Sequence, residues 1–295
     1  MKDTFSSLHP IVNFTYFTAV ILFGMLFMHP VFLCVSFVSA VIYSVYLNGM
    51  KAVKFLTVYM LPMLLVVAII NPLFYHEGAT ILFQLNDNPI TYEAVCYGIS
   101  SAVMFVSVII WFSCYNSVMT SDKFIYLFGR IIPSVSLILS MTLRFVPKFK
   151  EQIKVISNAQ KCIGRDASNG NLWRKARNGI AIISILITWA LENAIDTADS
   201  MKCRGYGLMR RTSFSNYRFD NRDKSFAGFM LILIIIVLLG AFSGENTIDY
   251  YPSICIKSIS TASIVVYISY AALLLIPIAL NIKEDVKWYH MKLKV

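Results

Sequence analysis

Charge is scarce in this chain. Only 14% of its 295 residues are Asp, Glu, Lys or Arg, while 57% are hydrophobic and the mean hydropathy is +0.66. Soluble domains carry about 25% charged residues, so an ordinary soluble globule is a poor fit and a multi-span membrane protein is expected. Acids are the scarcer sign, 16 against 26 Lys and Arg. In a soluble chain a net charge of +10 would point to nucleic acid. In a membrane chain it marks loops kept in the cytoplasm.

Ionisable residues are nearly absent from the long apolar runs, with Lys257 at one margin. Ion-coupled transporters and intramembrane hydrolases need embedded acids, arginines or histidines, and prenyl transferases need an aspartate-rich motif. None of these classes fits. The cysteines (Cys34, Cys96, Cys114, Cys162, Cys203 and Cys255) show no metal-ligand spacing. Four lie in or beside apolar runs, where a thiol acts as a small hydrophobe. His9, His29, His76 and His290 are scattered over loops and ends, leaving no convergent ligand or acid–base set for an enzyme acting on lipid. A Gly-x-x-x-x-Gly-Lys-Ser/Thr phosphate loop is also missing, and neither cofactor nor metal is expected.

What the chain has is length of apolar sequence. Crossing the hydrocarbon core takes about 20 apolar residues, and six runs qualify: 11–28, 31–47, 55–70, 94–115, 226–242 and 254–280. The first is long for the core of a cleavable signal peptide and is expected to be retained. His29-Pro30 separates the first two runs, and Asn71-Pro72 is expected to end the third, since proline disfavours helix in the residue before it. The loops at 71–93 and 243–253 hold acids (Glu77, Asp87, Glu93, Glu245 and Asp249) and no Lys or Arg. Lys51, Lys54, a long central insert and the tail after Asn281 hold nearly all the cations, so the insert and both termini are assigned to the cytoplasm. Lys257 is expected to snorkel to the outer interface.

The expected fold is all-α: about six membrane helices, with a cytoplasmic module of long amphipathic helices inserted between them. The boundaries are 1–120 for the N-terminal membrane helices, 121–224 for the module, and 225–295 for the C-terminal membrane helices and short tail. Three helices are expected in the module, at 121–131 with Ser121 as N-cap, at 134–162, and at 172–203. The second starts apolar over 135–143 and then turns amphipathic, with Phe145, Phe149, Ile153 and Ile156 on one face. Gly164 follows it as a C-terminal glycine, then a polar linker at 166–171. The third is apolar over 180–191, too short a stretch to span by itself, carries Glu192, Asp196 and Asp199 on one face, and stops at Arg204-Gly205. Arg204 suits a helix C-terminus on dipole grounds alone. Two helices closing on similar basic, glycine-terminated ends suit two similar partner subunits.

Leu143-Arg-Phe-Val-Pro147, Ala159-Gln-Lys161 and Met201-Lys-Cys-Arg-Gly-Tyr-Gly207, in that order, resemble the transmembrane T component of energy-coupling factor transporters, the CbiQ-like family. His9-Pro10, Asn71-Pro-Leu-Phe74 and Ile90-Thr-Tyr-Glu93 match as well. The resemblance covers most of the chain and is weakest over the last two spans. It implies a scaffold without catalysis of its own. Two cytoplasmic ABC ATPases that bind the ATP dock on one side, and a membrane S component that binds a vitamin, metal ion or similar micronutrient sits on the other. It also implies two Ala-Arg-Gly-like triplets that seat arginines in the ATPases. Arg204, between Cys203 and Gly205, matches the second. The first departs: Ile163 stands in the arginine place before Gly164, and Arg165 lies two residues on. Either Arg165 takes over after a local backbone change, which is the preferred reading, or the contact is apolar and weaker. Asp196 and Asp199 pair with the partner or the crossing helix, or form a solvated face. Arg144 is a helix anchor near headgroups or a supporting contact.

The function implied is energy coupling in a prokaryotic plasma membrane, with the lipid bilayer and these subunits as partners and no nucleic acid. The alternative is a conventional ABC permease subunit that forms the substrate path itself. A third reading has Arg174, Lys175, Arg177, Arg210 and Arg211 binding anionic lipid or nucleic acid.

Overall fold

The computed structural model describes residues 3–75, 77–85, 88–129, 132–165, 171–206, 217–244, 246–256 and 260–292. The linker at 166–170, His76, Asp87, Gly207, Arg210, Arg211, Glu245 and Lys257 lie outside them. The fold is all-α. In chain order the helices are α1 (Pro10–Leu26), α2 (Pro30–Asn48), α3 (Met50–Phe74), α4 (Tyr92–Val118), α5 (Ser121–Gly129), α6 (Pro133–Cys162), α7 (Leu172–Cys203), α8 (Asn221–Phe242) and α9 (Thr261–Lys292). Among the described residues, two small antiparallel hairpins, Ile81–Leu85 with Asn88–Thr91 and Ile248–Asp249 with Cys255–Ile256, lie in the acidic loops. The chain divides into two compact units, residues 1–124 with 217–295, and residues 125–216.

Among the described residues, six helices are long and apolar enough to cross a membrane: α2, α3, α4, α7, α8 and α9. This set differs from the sequence reading at two places. α1 has 17 residues and falls short, while α7 is 32 residues long and apolar enough on average, although its uninterrupted apolar run is still only residues 180–191. Other boundaries move too. α3 does not stop at Asn71 but runs through Pro72 to Phe74, with a π-helical stretch at Leu56–Met60. In a last turn proline removes one hydrogen bond without having to propagate a helix. α9 starts at Thr261 rather than 254, because Cys255 and Ile256 pair as a strand, and it continues past Asn281, where nothing breaks the helix. Ser121 is the first helical residue rather than the cap, and the Thr120 carbonyl accepts from Phe124 N–H.

The two His-Pro pairs share one device. His9 Nδ1 and His29 Nδ1 accept from Ile11 N–H and Val31 N–H, each at 3.3 Å, while the proline at N1 has no N–H to satisfy. Thr91 caps α4 similarly, and Asp220 with Asp223 forms a capping box on α8.

The core of the first unit is aromatic. Trp111, Tyr16, Tyr43, Tyr270, Phe5, Phe17 and Phe32 are fully buried, contributed chiefly by α1, α2, α4 and α9. Three of their polar atoms are partnered: Trp111 Nε1 donates to Ser36 Oγ at 3.2 Å, Tyr16 OH to the Leu274 carbonyl at 3.1 Å and Tyr43 OH to Asp3 at 3.2 Å. α3 packs on α4 where Gly98 faces it. A Cβ at Gly98 would lie 2.9 Å from the Ala68 carbonyl oxygen and 3.0 Å from Pro72 Cδ. Pro72 has no N–H to offer that carbonyl, so the absent side chain lets the helices close over it. Gly98→Val is therefore expected to cost about 2 kcal/mol through overpacking, read as a fall in melting temperature of the detergent-solubilised protein. Unchanged melting would contradict this close approach.

A polar knot ties the N-terminal segment to the helix ends. Asn281 Oδ1 accepts from Thr4 N–H at 2.9 Å and Phe5 N–H at 3.3 Å, while Asn281 Nδ2 donates to Asp3 at 2.6 Å. Tyr43 OH also donates to Asp3, at 3.2 Å. Lys123, 6% exposed, donates through Nζ to the Ser6 carbonyl, to Ser6 Oγ at 3.0 Å and to the Val118 carbonyl at 2.9 Å. Val118 ends α4, so its carbonyl lacks a helical partner and sits at the negative pole of the helix. Burial lowers the Lys123 pKa, opposed by the Asp3 carboxylate.

Candidate functional site

The second unit holds the residues singled out from the sequence. Ser136 Oγ, near the start of α6, donates to the Ile125 carbonyl of α5 at 3.3 Å. α6 and α7 then cross near their midpoints. Lys148 Nζ donates to Asn193 Oδ1 at 2.9 Å and lies 5.2 Å above the Trp189 ring. Phe149 meets Trp189 edge-on at 5.9 Å, and Phe145 stacks on Phe149 at 5.9 Å. An aromatic–cation cluster of this kind holds beyond its buried area. Ile156 is buried on the expected face, whereas Ile153 is exposed, since an i,i+4 step from Phe149 carries it past the narrow contact stripe. At 1.5 Å per residue the C-terminal end of each helix projects about 20 Å beyond the crossing.

Those two ends have the same backbone. At α6, Gly164 N–H donates to the Lys161 carbonyl at 3.0 Å and Arg165 N–H to the Gln160 carbonyl at 2.9 Å. At α7, Gly205 N–H donates to the Lys202 carbonyl at 2.9 Å and Tyr206 N–H to the Met201 carbonyl at 3.0 Å. Each pair is the Schellman closure, with glycine in the left-handed region at φ 75° and 80°. Lys161-Cys162-Ile163-Gly164-Arg165 therefore matches Lys202-Cys203-Arg204-Gly205-Tyr206 position by position. Ile163 holds the place of Arg204, and Arg165 that of Tyr206. The repeated Lys-Cys-x-Gly run carried this signal in the sequence and was not used there.

Arg204, Cys203, Ile163 and Arg165 are all exposed, with Ile163 67% accessible. Asp199 lies 3.7 Å from Lys202, both in solvent, and a pair so exposed adds little stability. Asp196 and Arg144 are exposed as well, and the apolar start of α6 presents Val135, Ile138 and Leu143 outward. The structure thus brings Lys148, Phe149, Trp189 and Asn193 together at a crossing and sets Ile163 and Arg204 at separate helix ends. Among the described residues no group of His, Cys, Asp or Glu could hold a metal.

Residues 6–214, which include both ends and the crossing, match the cobalt transport protein family CbiQ. The chain belongs to the CbiQ family. Among CbiQ relatives, the energy-coupling factor transporter transmembrane protein EcfT of Streptococcus equi is 30% identical over 222 residues, 71% of this chain and 77% of its own length. The EcfT of Leuconostoc gelidum is 26% identical over 209 residues, 66% and 75% of the two chains. That of Lactococcus lactis is 33% identical over 109 residues, 37% and 41%. The CbiQ match stops before α8, where the sequence resemblance also weakens. With its long apolar helices, this CbiQ protein is an integral membrane protein and the transmembrane component of an energy-coupling factor transporter, a complex of several subunits.

Proposed function

We propose that this chain is the coupling subunit of its transporter, without catalytic activity, in the plasma membrane of a prokaryote with both termini in the cytoplasm. Two cytoplasmic ABC ATPases dock on the ends of α6 and α7. Their ATP-driven approach and separation tilts the crossed helices, which reorient a membrane S component carrying a vitamin, metal ion or similar micronutrient. The observation that carries this reading is the pair of matching Schellman ends on two crossed helices. Each exposes one side chain, Ile163 or Arg204, at the same backbone position. A guanidinium fork can grip a partner carboxylate bidentately. α7 lies along the membrane rather than across it, because its continuous apolar run, residues 180–191, spans about 18 Å against a hydrocarbon core of about 30 Å.

Co-purification in mild detergent tests the reading. ATPase subunits should be retained by the wild type and lost from Arg204→Glu, while the small membrane partner stays. The purified chain alone should not hydrolyse ATP, and turnover by it would overturn the assignment.

The matching backbone closure supports an apolar first contact through Ile163 rather than the Arg165 contact preferred from the sequence, with Arg165 two positions on. Ile163→Asp should weaken ATPase retention at least about tenfold, the effect of burying an unpaired carboxylate in an apolar contact. Arg165→Ala should change it less than about twofold, as rim charges do. The reverse ranking would return the contact to Arg165.

A further inference from the structure

α7 has two faces. Trp189 and Asn193 meet α6, and on the opposite side Trp173, Ile180, Ile187, Leu191 and Ile195 recur at helical spacing, all exposed. Trp173, 85% accessible, is among the most exposed apolar side chains of the described residues. Beside it stand Arg174 and Arg177, both exposed, and Lys175. Between residues 171 and 191 there is no Asp or Glu, whereas Glu192, Asp196 and Asp199 follow at the other end. The helix is therefore cationic and aromatic at its start, apolar along one stripe, and acidic near its close.

We propose that Trp173, Arg174 and Arg177 form a landing patch for anionic phospholipid headgroups of the cytoplasmic leaflet. The charge distribution chooses the occupant. An anionic leaflet attracts the first turns of α7 and repels its acidic last turns, so the Arg204 end stays clear for a protein partner. Tryptophan suits this place because its ring is apolar and its N–H polar, the pairing that concentrates it at headgroup depth. Arginine beside it keeps its charge in the headgroups while its stem lies on apolar surface. A membrane is also within reach of the chain, since Val118 ends a membrane helix and Ser121 begins the helix that leads into the second unit. The patch fixes the height of α7 at the bilayer, giving the tilting helix a pivot.

The test uses the full chain in phosphatidylcholine nanodiscs doped with brominated phosphatidylglycerol or, in parallel, brominated phosphatidylcholine. The quenchable signal of Trp173 is obtained as the difference from Trp173→Phe. Quenching should favour the phosphatidylglycerol probe. R174E/R177E should reduce that preference at least about tenfold, at about fivefold per cation, and high salt should reduce it likewise. Equal quenching by both probes, or none of Trp173, overturns the proposal. So does loss of co-purifying ATPases from R174E/R177E with the lipid preference intact, which would assign the patch to a protein contact. Arg204→Glu should leave the preference unchanged, so failure of the docking reading and failure of this one give different results.

Discussion

Arg204→Glu is expected to release the ATPase subunits with the largest effect of any single surface substitution in the second unit. The guanidinium is exposed at the cap of α7, on a backbone closed by two hydrogen bonds and a glycine at φ 80°. It reaches a partner from a fixed point, so little ordering entropy opposes its contact. Truncating a central interface arginine costs about 2 kcal/mol or more, and reversing its sign adds repulsion against the carboxylate it gripped. A weakening of at least about 100-fold is expected, enough to empty the complex at purification concentrations. If the ATPases dock as proposed, avidity deepens the loss, because two ends sharing a linked pair lose their effective concentration when one lets go. Arg204→Lys, which keeps charge but not the planar fork, should fall in between. Retention of ATPases by Arg204→Glu at wild-type level would remove α7 from the docking scheme. The melting temperature should fall by only a few °C, since the side chain lies in solvent and a charge at a helix C-terminus is worth about 0.3–1 kcal/mol.

Lys123→Met is expected to do the opposite, destabilising the membrane unit while leaving every docking residue in place. The substitution keeps the apolar stem and deletes an ammonium that donates to the Ser6 carbonyl, Ser6 Oγ and the last-turn carbonyl of Val118. Those acceptors are then left with little water, because the site is 6% exposed. Hydrogen bonds to a charged donor contribute about 1.5–3 kcal/mol each, and relief from burying the charge offsets part of that. A net loss of about 2–3 kcal/mol is expected, and at about 2–4 °C per kcal/mol for a unit of this size the melting temperature should fall by about 5–10 °C. Transport should fall further than folded protein does, since Lys123 holds the start of α5 and α5 leads into the crossed helices. A variant that melts like wild type would show that the knot is held by Asn281 and Asp3 alone.

The contrast between these residues shows what could be read in advance. Arg204 was legible because it sits in a contiguous run, Met201 to Gly207, and a helix C-terminus followed by glycine is written locally. The ends of α6 and α7 were placed for the same reason, through 3.6-residue periodicity closed by Gly164 and Gly205. Lys123, Asn281 and Asp3 were not legible. Their meaning lies in bonds to distant segments, 117 positions away for Lys123 with Ser6 and 277 for Asn281 with Thr4. Lys148 over Trp189 was hidden in the same way, each looking like an ordinary residue of its own amphipathic helix. Pro72 misled because proline argues for a helix end, whereas a last turn packed against Gly98 tolerates it.

Sequence by itself settled the membrane character, the helical class, the family resemblance and the position of the two basic ends, because hydropathy, periodicity and capping are short-range properties of consecutive residues. Tertiary structure decided where α6 and α7 cross, and how the N-terminal segment locks to α4 and α9. Those depend on side-chain contact across the fold, and no reading of neighbouring residues contains them.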